Sequence, residues 1–520
     1  MAEPQKRAWT ELREQYPVGT GLTPFLQSVQ SGSDLDIRTP FWKGISREEV
    51  VDQWDKIFNE ERGRLPGRLS EVEENQRGKI GPLSIRDPLA KRIPQINGYW
   101  TTHVTSVPKE VQRFDALSGI FGGTASRLRP LSAEQAGLEL AGNTNSGFPY
   151  FTKKRRVRED TLKYTGEDYL RTFPAILGWR GQSQGIDENP KQRTVWMYPF
   201  STNIEEMRYF RPLQTFLLQA SPNPLAAWVG PDETDAEVKR CIAMARANDT
   251  SVVSTDFSSF DQSIGPELSR SSYEYISKLF TDDSEGEISE LHSVMHNIDL
   301  IVNPTVMLSG EHGVSSGSVM TNLIDSLVHL VAATFTMQLA RCELLCVQVQ
   351  GDDGLLVPSR RCDPEEIVAG YHEIGLDANP DKQFIGDQDC LYLQKYYHAS
   401  WNEGGVGMYP TYRALNSLLG QERFYSDEEW GADMVTLRAI MILENAKGHP
   451  LFTRLVQFAM DGDRYRLGAR WPGGIDNLLF KNDVIQRAKS LAGFVPVYNK
   501  ARDVSGIRQF KTYQLIKELE

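Results

Sequence analysis

Neither a GxxxxGK[ST] loop nor a GxGxxG turn occurs in the chain, which removes P-loop and Rossmann phosphate chemistry as starting points. Internal repeats and low-complexity tracts are absent as well, so solenoid and disordered classes do not apply. Five cysteines (Cys241, Cys342, Cys346, Cys362, Cys390) form no CxxC, and their odd number fits free thiols in a reducing compartment better than a disulfide framework. A zinc site built from Cys342, Cys346 and distant partners is the rarer alternative. Long apolar runs are missing: the longest, 327–340, is broken by His329, Thr334, Thr336 and Gln338 and is short for a bilayer span. Residues 1–12 carry Lys6, Arg7 and Glu11 without an apolar core, so no signal peptide is readable. The expectation is a soluble, intracellular protein without membrane insertion.

Excess positive charge is lacking too. A net charge of −12 over 520 residues argues at first against a phosphate-rich partner. Large enzymes can, however, be acidic outside and basic along an internal channel, so local charge decides. Here Lys153, Lys154, Arg155, Arg156 and Arg158 cluster, and Arg180, Lys191 and Arg193 follow. A hydrophobic fraction of 40% and a chain of this length are enough for a large core with several subdomains.

Along the chain, Ser46 and Glu49 form a capping box before the stripe Val50, Val51, Trp54, Ile57 and Phe58, predicting a packed helix. Residues 61–87 are polar with Pro and Gly and read as a linker or extended strap, and 89–230 show no clean period. Residues 251–257 (SVVSTDF) predict a buried strand ending at Asp256, and 266–280 a helix. A Gly- and Ser-rich loop at 310–317 opens a long apolar helix over 319–339. Residues 344–357 predict two strands joined by Gly351-Asp352-Asp353-Gly354, 364–374 a helix, and 392–399 a further strand pair. Beyond Ser400 the pattern turns helical, with helices over 434–446 and along Phe452, Leu455, Val456 and Ala459. The alternation is that of an α+β fold.

The chemistry concentrates in carboxylates. Nucleotidyl transfer uses two hard cations about 3.5–4 Å apart, held by oxygen ligands on rigid elements. A strand ending in Asp256 beside a hairpin turning at Asp352-Asp353 would bring carboxylates from neighbouring strands to one point. Taken alone, Gly-Asp-Asp-Gly is also good turn chemistry, and Asp256 and Asp261 also suit an Asx turn and a helix cap.

The ordered set goes further. Asp256-Phe257-Ser258-Ser259-Phe260-Asp261, then Ser316-Gly317 with Thr321, then Gly351-Asp352-Asp353 resemble the first three palm motifs of the viral RNA-dependent RNA polymerases, in the family's order. Asn145-Ser146-Gly147-Phe148-Pro149 looks like the motif where template enters, and Lys191-Gln192-Arg193-Thr194-Val195-Trp196 like the basic fingers motif over the triphosphate. Lys382 in GLDANPDK resembles the fourth palm motif's lysine, and Leu391 to Lys395 the primer grip. The resemblance runs over 143–395, about half the chain. Within the family, the wording of 316–326 and the QGDD turn are most similar to double-stranded RNA viruses of the picobirnavirus and partitivirus kind, with picobirnavirus preferred.

The resemblance implies a closed right-hand polymerase of fingers, palm and thumb, with an N-terminal extension bridging fingers and thumb. Its implied divisions are 1–75 extension, 76–235 fingers, 236–265 palm, 266–310 a fingers/palm insertion, 311–399 palm, and 400–520 thumb and tail. It implies two Mg²⁺ (or Mn²⁺) ions on Asp256, Asp352 and Asp353, with Lys382 as the acid for pyrophosphate. Nucleotide contacts fall to Asp261, Ser316, Gly317, Thr321, Asn322, Asp325, Lys191 and Arg193. RNA contacts fall to Asn145, Ser146, Gly147, Lys153, Lys154, Arg155, Arg156 and Lys395. Implied partners are RNA template and product, ribonucleoside triphosphates and a capsid protein, with replication and transcription of a viral RNA genome in the virion and host cytoplasm. One departure stands out: many positive-strand virus polymerases carry Asn four residues after the motif Thr, where this chain has Asp325, with Asn322 beside the Thr. The resemblance implies that Asp261 reads the ribose 2′-hydroxyl, and how Asp261, Asn322 and Asp325 share ribose recognition is therefore open.

Two rivals remain at this level. A reverse transcriptase or DNA polymerase also sets carboxylates on a palm, and a non-catalytic RNA-binding or virion protein could keep the scaffold. The tail, with Lys500, Arg502, Arg508, Phe510, Lys511 and Tyr513, is expected to fold toward the RNA cleft, since bases stack on rings.

Overall fold

The structure, a computed structural model, describes residues 3–520 except 105, 113–114, 123–126, 167–168, 427, 429, 481–483, 485–486 and 489–503. One sheet takes β1 (Gln5–Ala8), β2 (Ala175–Gln182), β3 (Lys191–Met197), β5 (Leu300–Ile301) and β6 (Val306–Ser309) in the order β1-β6-β5-β2-β3. The second, antiparallel throughout, takes β4 (Val252–Thr255), β7 (Leu344–Gln350), β8 (Asp353–Pro358) and β9 (Phe384–Gly386) in the order β7-β8-β4-β9. A hairpin of β10 (Asp389–Tyr392) and β11 (Lys395–His398) lies beside it.

Local sequence explains the central sheet. Every residue of β4 is buried, as a β-branched strand with neighbours on both edges should be. The β7–β8 connection needs a left-handed residue, and Gly351 supplies it at φ +63°. The Thr321–Leu339 helix is buried on almost every side, so the long apolar run belongs to the protein core. Among the described residues no helix is long and apolar enough to cross a membrane.

A separate C-terminal core, built by helices such as Thr411–Leu419, Ala432–Asn445 and Phe452–Gly462, includes Val50, Trp54 and Phe58 from the Arg47–Glu61 helix. Burying Val50 and Phe58 there contributes about 1.5–3 kcal/mol each. With β1 paired to β6 in the other sheet, the N-terminal region joins both ends of the molecule. Residues 61–87 are more than a strap: they contain the Leu69–Arg77 helix. Its buried Glu73 accepts from the N–H groups of Thr411 (2.7 Å) and Tyr412 (3.2 Å), capping the Thr411–Leu419 helix, and lies 2.9 Å from His449 Nε2.

Two expectations are corrected. Cys241 and Cys346 are disulfide-bonded, because the Pro231–Ala247 helix packs on β7 and brings together residues 105 apart in sequence; Cys342, Cys362 and Cys390 are free. In the tail, Phe510 and Tyr513 lie in the C-terminal core instead of standing free for bases, and Glu444 accepts from the Thr512 N–H at 3.0 Å, capping the Lys511–Glu518 helix. Lys500 and Arg502 lie outside the described residues.

Candidate active site

Strand register sets the acidic centre. β4 pairs with β8 at Thr255↔Gly354 and with β9 at Ser254↔Phe384, so Asp256, just past β4, comes level with Asp353 on one side and Lys382 on the other. The Gln383 side chain grips the Asp256 backbone from both sides, donating to its carbonyl at 2.8 Å and accepting its N–H at 3.3 Å. Gly354 has no room for a side chain, because a Cβ would stand 2.4 Å from His329 Cε1 and 2.5 Å from Thr255 Oγ1. Glycine there lets the two strands close on the buried histidine.

The carboxylates feel one another. Burial raises the Asp256 pKa and Asp352 adds to it, against the pull of Lys382, Lys79 and Lys191. Burial, then Asp352 and Asp256, push Asp353 up to about 7. Asp261 rises to about 6 through burial and Asp352, opposed by Arg193. Asp325 is raised well above the usual carboxylate range, by burial and then by Asp261 and Asp352, and its Oδ1 is buried without a hydrogen-bond partner. Buried carboxylates crowded together, whose mutual repulsion a bound cation would relieve, are a donor set suited to hard divalent cations. Among the described residues no three acidic, His or Cys side chains converge tightly enough to enclose an ion by themselves.

Positive charge surrounds this centre. Lys191 and Arg193 project from one face of β3, the edge strand of its sheet, both exposed, with Arg193 Nε 3.1 Å from Gln182 Oε1. Lys382 ends a short helical turn beside β9. Two further cations were not visible in the sequence: Lys79, after the Leu69–Arg77 helix, and Arg413, in the Thr411–Leu419 helix, whose fields reach Asp256 and Asp353 respectively. Neither sits in a motif, and only the fold brings them here.

The Ser-Gly loop is stitched onto β3. Ser316 Oγ accepts from the Trp196 N–H and donates to the Thr194 carbonyl, each at 3.3 Å, and a Cβ on Gly317 would lie 1.6 Å from the Trp196 carbonyl oxygen. Thr321 Oγ1 donates to the Ser315 carbonyl at 2.6 Å, closing the loop on the helix it starts. Asn322 Oδ1 accepts from Trp228 Nε1 at 2.9 Å and Gln350 Nε2 at 2.8 Å, so its oxygen is already used.

The remaining candidates divide. Asn145 Oδ1 accepts from the Gly147 N–H at 2.8 Å, Ser146 is buried, and Gly147, at φ +62°, abuts the Tyr198 carbonyl. Arg155 and Arg156 are exposed and Lys153 partly so, whereas Lys154 is buried, its ammonium donating to Asn203 Oδ1 at 3.0 Å. Lys395 pairs with Asp235 at 3.6 Å.

The chain is similar to known proteins along most of its length. A family model described as viral RNA-dependent RNA polymerase matches residues 138–395. A potential RNA-dependent RNA polymerase of Human picobirnavirus is 34% identical over 480 residues, 88% of each chain. An RNA-directed RNA polymerase of Cryptosporidium parvum virus 1 is 23% identical over 336 residues, 59% of this chain and 62% of that one. The crystal structure of the RNA-dependent RNA polymerase of a human picobirnavirus superposes with a TM-score of 0.85 at 31% identity, covering 96% of this chain and 97% of that one. An insertion-loop deletion mutant of that enzyme gives 0.82 at 32% identity over the same shares.

Proposed function

Because the chain belongs to the viral RNA-dependent RNA polymerases, we propose that it synthesises RNA on an RNA template by two-metal nucleotidyl transfer, with Asp256, Asp352 and Asp353 as the metal ligands. The fold is that of a right-hand polymerase, α+β in class, with the N-terminal region bridging its two ends. Polymerases of this kind depend on divalent metal, and Mg²⁺ or Mn²⁺, two per site, is the proposed complement here. The observation that carries this mechanism is the register of β4 with its two neighbours, β8 setting Asp353 and β9 setting Lys382 level with Asp256.

The bound ions would activate the attacking 3′-hydroxyl and stabilise the leaving pyrophosphate. Lys191 and Arg193 would hold the triphosphate, a guanidinium fork and an ammonium countering its charge. Lys382, next to Asp256, would hand a proton to the departing pyrophosphate. Asp261 and Asp325 would face the ribose. With Asp325 protonated, its carboxyl has a donor as well as an acceptor, the capability that Asn supplies at this place in other members of the family. Ser316, Gly317 and Thr321 would shape the nucleotide side of the site, and Asn322 would brace Gln350 next to the catalytic turn.

RNA would pass along Asn145, Ser146, Gly147, Lys153, Arg155 and Arg156 toward Lys395, with Lys154 supporting that path from inside. We assign 76–235 to the fingers, 236–265 and 311–399 to the palm with 266–310 inserted between fingers and palm, 400–520 to the thumb and tail, and 1–75 to the bridging extension. A double-stranded RNA virus, a capsid partner, and work in the virion and host cytoplasm complete the proposal.

The test is incorporation of labelled ribonucleotide on a short single-stranded RNA, with and without Mg²⁺ or Mn²⁺, for the wild type and the Asp352→Ala, Asp353→Ala double variant. Metal-dependent product that disappears in the variant is expected. Equal product from both would remove the assignment of these ligands.

A further inference from the structure

Gly317, Ser318 and Val319 are bound by two side chains that the mechanism above does not use. Glu206, only 2% exposed in the Phe200–Leu217 helix, accepts from the Ser318 hydroxyl and from the Val319 N–H at 2.7 Å. Asn203, one turn earlier on the same face, donates from Nδ2 to the Gly317 carbonyl at 3.2 Å and to Glu206 at 3.3 Å. Its Oδ1 takes the Lys154 ammonium at 3.0 Å, and that ammonium lies over the Phe200 ring at 5.3 Å.

Burying a carboxylate, an amide and an ammonium together is unfavourable unless each is satisfied by hydrogen bonds, and apolar side chains would fill the space more cheaply. What the polar set adds is direction. Backbone and hydroxyl groups of three successive loop residues are each given one fixed partner on a rigid helix. Ser316, on the opposite side, is tied to the backbone of β3, the strand that carries Lys191 and Arg193. The loop is therefore pinned from two directions. The same helix also anchors the template-side segment: its Phe200 N–H donates to the Ser146 carbonyl at 2.9 Å, and Lys154, which its Asn203 holds, donates its own backbone N–H to the Thr144 carbonyl at 2.9 Å.

We propose that Glu206, with Asn203 and Lys154, is a positioning residue that fixes the 316–319 loop for the incoming nucleotide and couples it to the template-side segment 144–149. This rests on the nucleotide-binding role assigned to that loop. Lys154 is then part of the loop's support, which accounts for its inward turn among exposed basic neighbours.

The experiment uses the full chain, a primed single-stranded RNA, Mg²⁺ and single-nucleotide incorporation over a range of ribonucleotide concentrations, with thermal melting of every variant. Glu206→Gln keeps the size and one acceptor but loses the charge, so the comparison is made at pH 8, above the value of about 7 to which burial raises this carboxyl. It is expected to raise KM for the nucleotide about tenfold, the scale of one lost charge-assisted hydrogen bond, with kcat changed much less and melting close to wild type. Glu206→Ala should do more, and Ser318→Ala should add little on top of Glu206→Gln because the two act through one contact. If Glu206→Ala fails to fold, Glu206→Gln and the Ser318→Ala pair decide. An unchanged KM in Glu206→Gln, or activity losses that only follow melting temperature across the series, would overturn the proposal. A wild-type protein without product overturns the functional assignment itself, a separate outcome.

Discussion

His329 Nδ1 stands 2.9 Å from the carbonyl of Gly351, and its other nitrogen stands 3.3 Å from Thr255 Oγ1. One buried imidazole on the Thr321–Leu339 helix thus touches both backbone segments that carry the acids proposed as metal ligands. Burial draws its pKa down to about 4, so the ring is neutral at pH 7. Nδ1–H then donates to Gly351 and Nε2 accepts from the Thr255 hydroxyl. Ser326, one turn earlier, accepts the Gly351 N–H at 2.9 Å, and the turn is held at both its polar ends.

His329→Phe should therefore cost more than packing. The Gly351 carbonyl would be buried without a donor, a loss of about 1–3 kcal/mol in stability. The acids would lose their common brace, and a displacement on the order of 1 Å is enough to reduce kcat by up to about 100-fold. His329→Asn, whose amide N–H can replace Nδ1–H, should retain most of the rate. Equal kcat for the Phe variant and the wild type in steady-state incorporation would dismiss the brace.

Asp353 gives a pH dependence with a definite sign. Its folded pKa, pushed up to about 7, lies above the unfolded value of roughly 3.9, so the folded state binds the extra proton between them. The associated stability is complete below about pH 4 and is lost as pH rises through about 7. Asp353→Asn removes the charge, so its unfolding free energy should gain on that of the wild type from pH 5 to pH 8, by on the order of 2 kcal/mol after allowance for solvent screening. Mg²⁺ should close the gap by stabilising only the wild type. A gap that stays flat with pH would show that the site does not strain the carboxylate.

Burial, then Asp261 and Asp352, hold the Asp325 carboxyl well above the usual carboxylate range, and a protonated acid there can be told from an ionised one. Asp325→Asn keeps shape and donor, so its KM for ribonucleotides should stay within a few-fold of wild type. Asp325→Leu, similar in size but without polarity, should raise KM for ribonucleotides while leaving deoxyribonucleotides nearly unchanged. If Asn proves as damaging as Leu in competition assays between the two sugars, the ionised form is the working one.

What the sequence disclosed is what neighbours in the chain decide. Asp256 at a strand end, the Gly351 turn and the Gly317 loop are local features with local chemistry, and each falls where its motif places it. Features that depend on distant partners stayed hidden. The polar stretch 61–87 reads as a strap until Glu73 is seen capping a helix that begins at Thr411. Cys241 and Cys346 look like ordinary thiols until a helix is laid on β7. Lys154 cannot be told from Arg155 by composition, and only the nearness of Asn203 and Glu206 turns it inward.

Lys79 and Arg413 are the sharpest instance, because both lie outside the 138–395 span of the family match yet act on its acids. Arg413 is held in place by Tyr409 Oη at 3.1 Å and Gln76 Oε1 at 3.4 Å, so its charge is preset, and Lys79 lies where burial and Arg413 lower its pKa while Asp256 raises it. Cations near a carboxylate cluster oppose metal binding and favour the triphosphate. Removing one should move the two affinities in opposite directions. Arg413→Met is expected to raise KM for nucleotide about tenfold, the scale of a lost charge-assisted contact, while lowering the Mg²⁺ concentration needed for half-maximal rate. Lys79→Met should do the same, acting through Asp256 while Arg413 remains. Nucleotide and metal titrations of both variants decide the matter. A simple steric or folding defect would impair both titrations together, and only an electrostatic role for the N-terminal and C-terminal walls of the site predicts that they part.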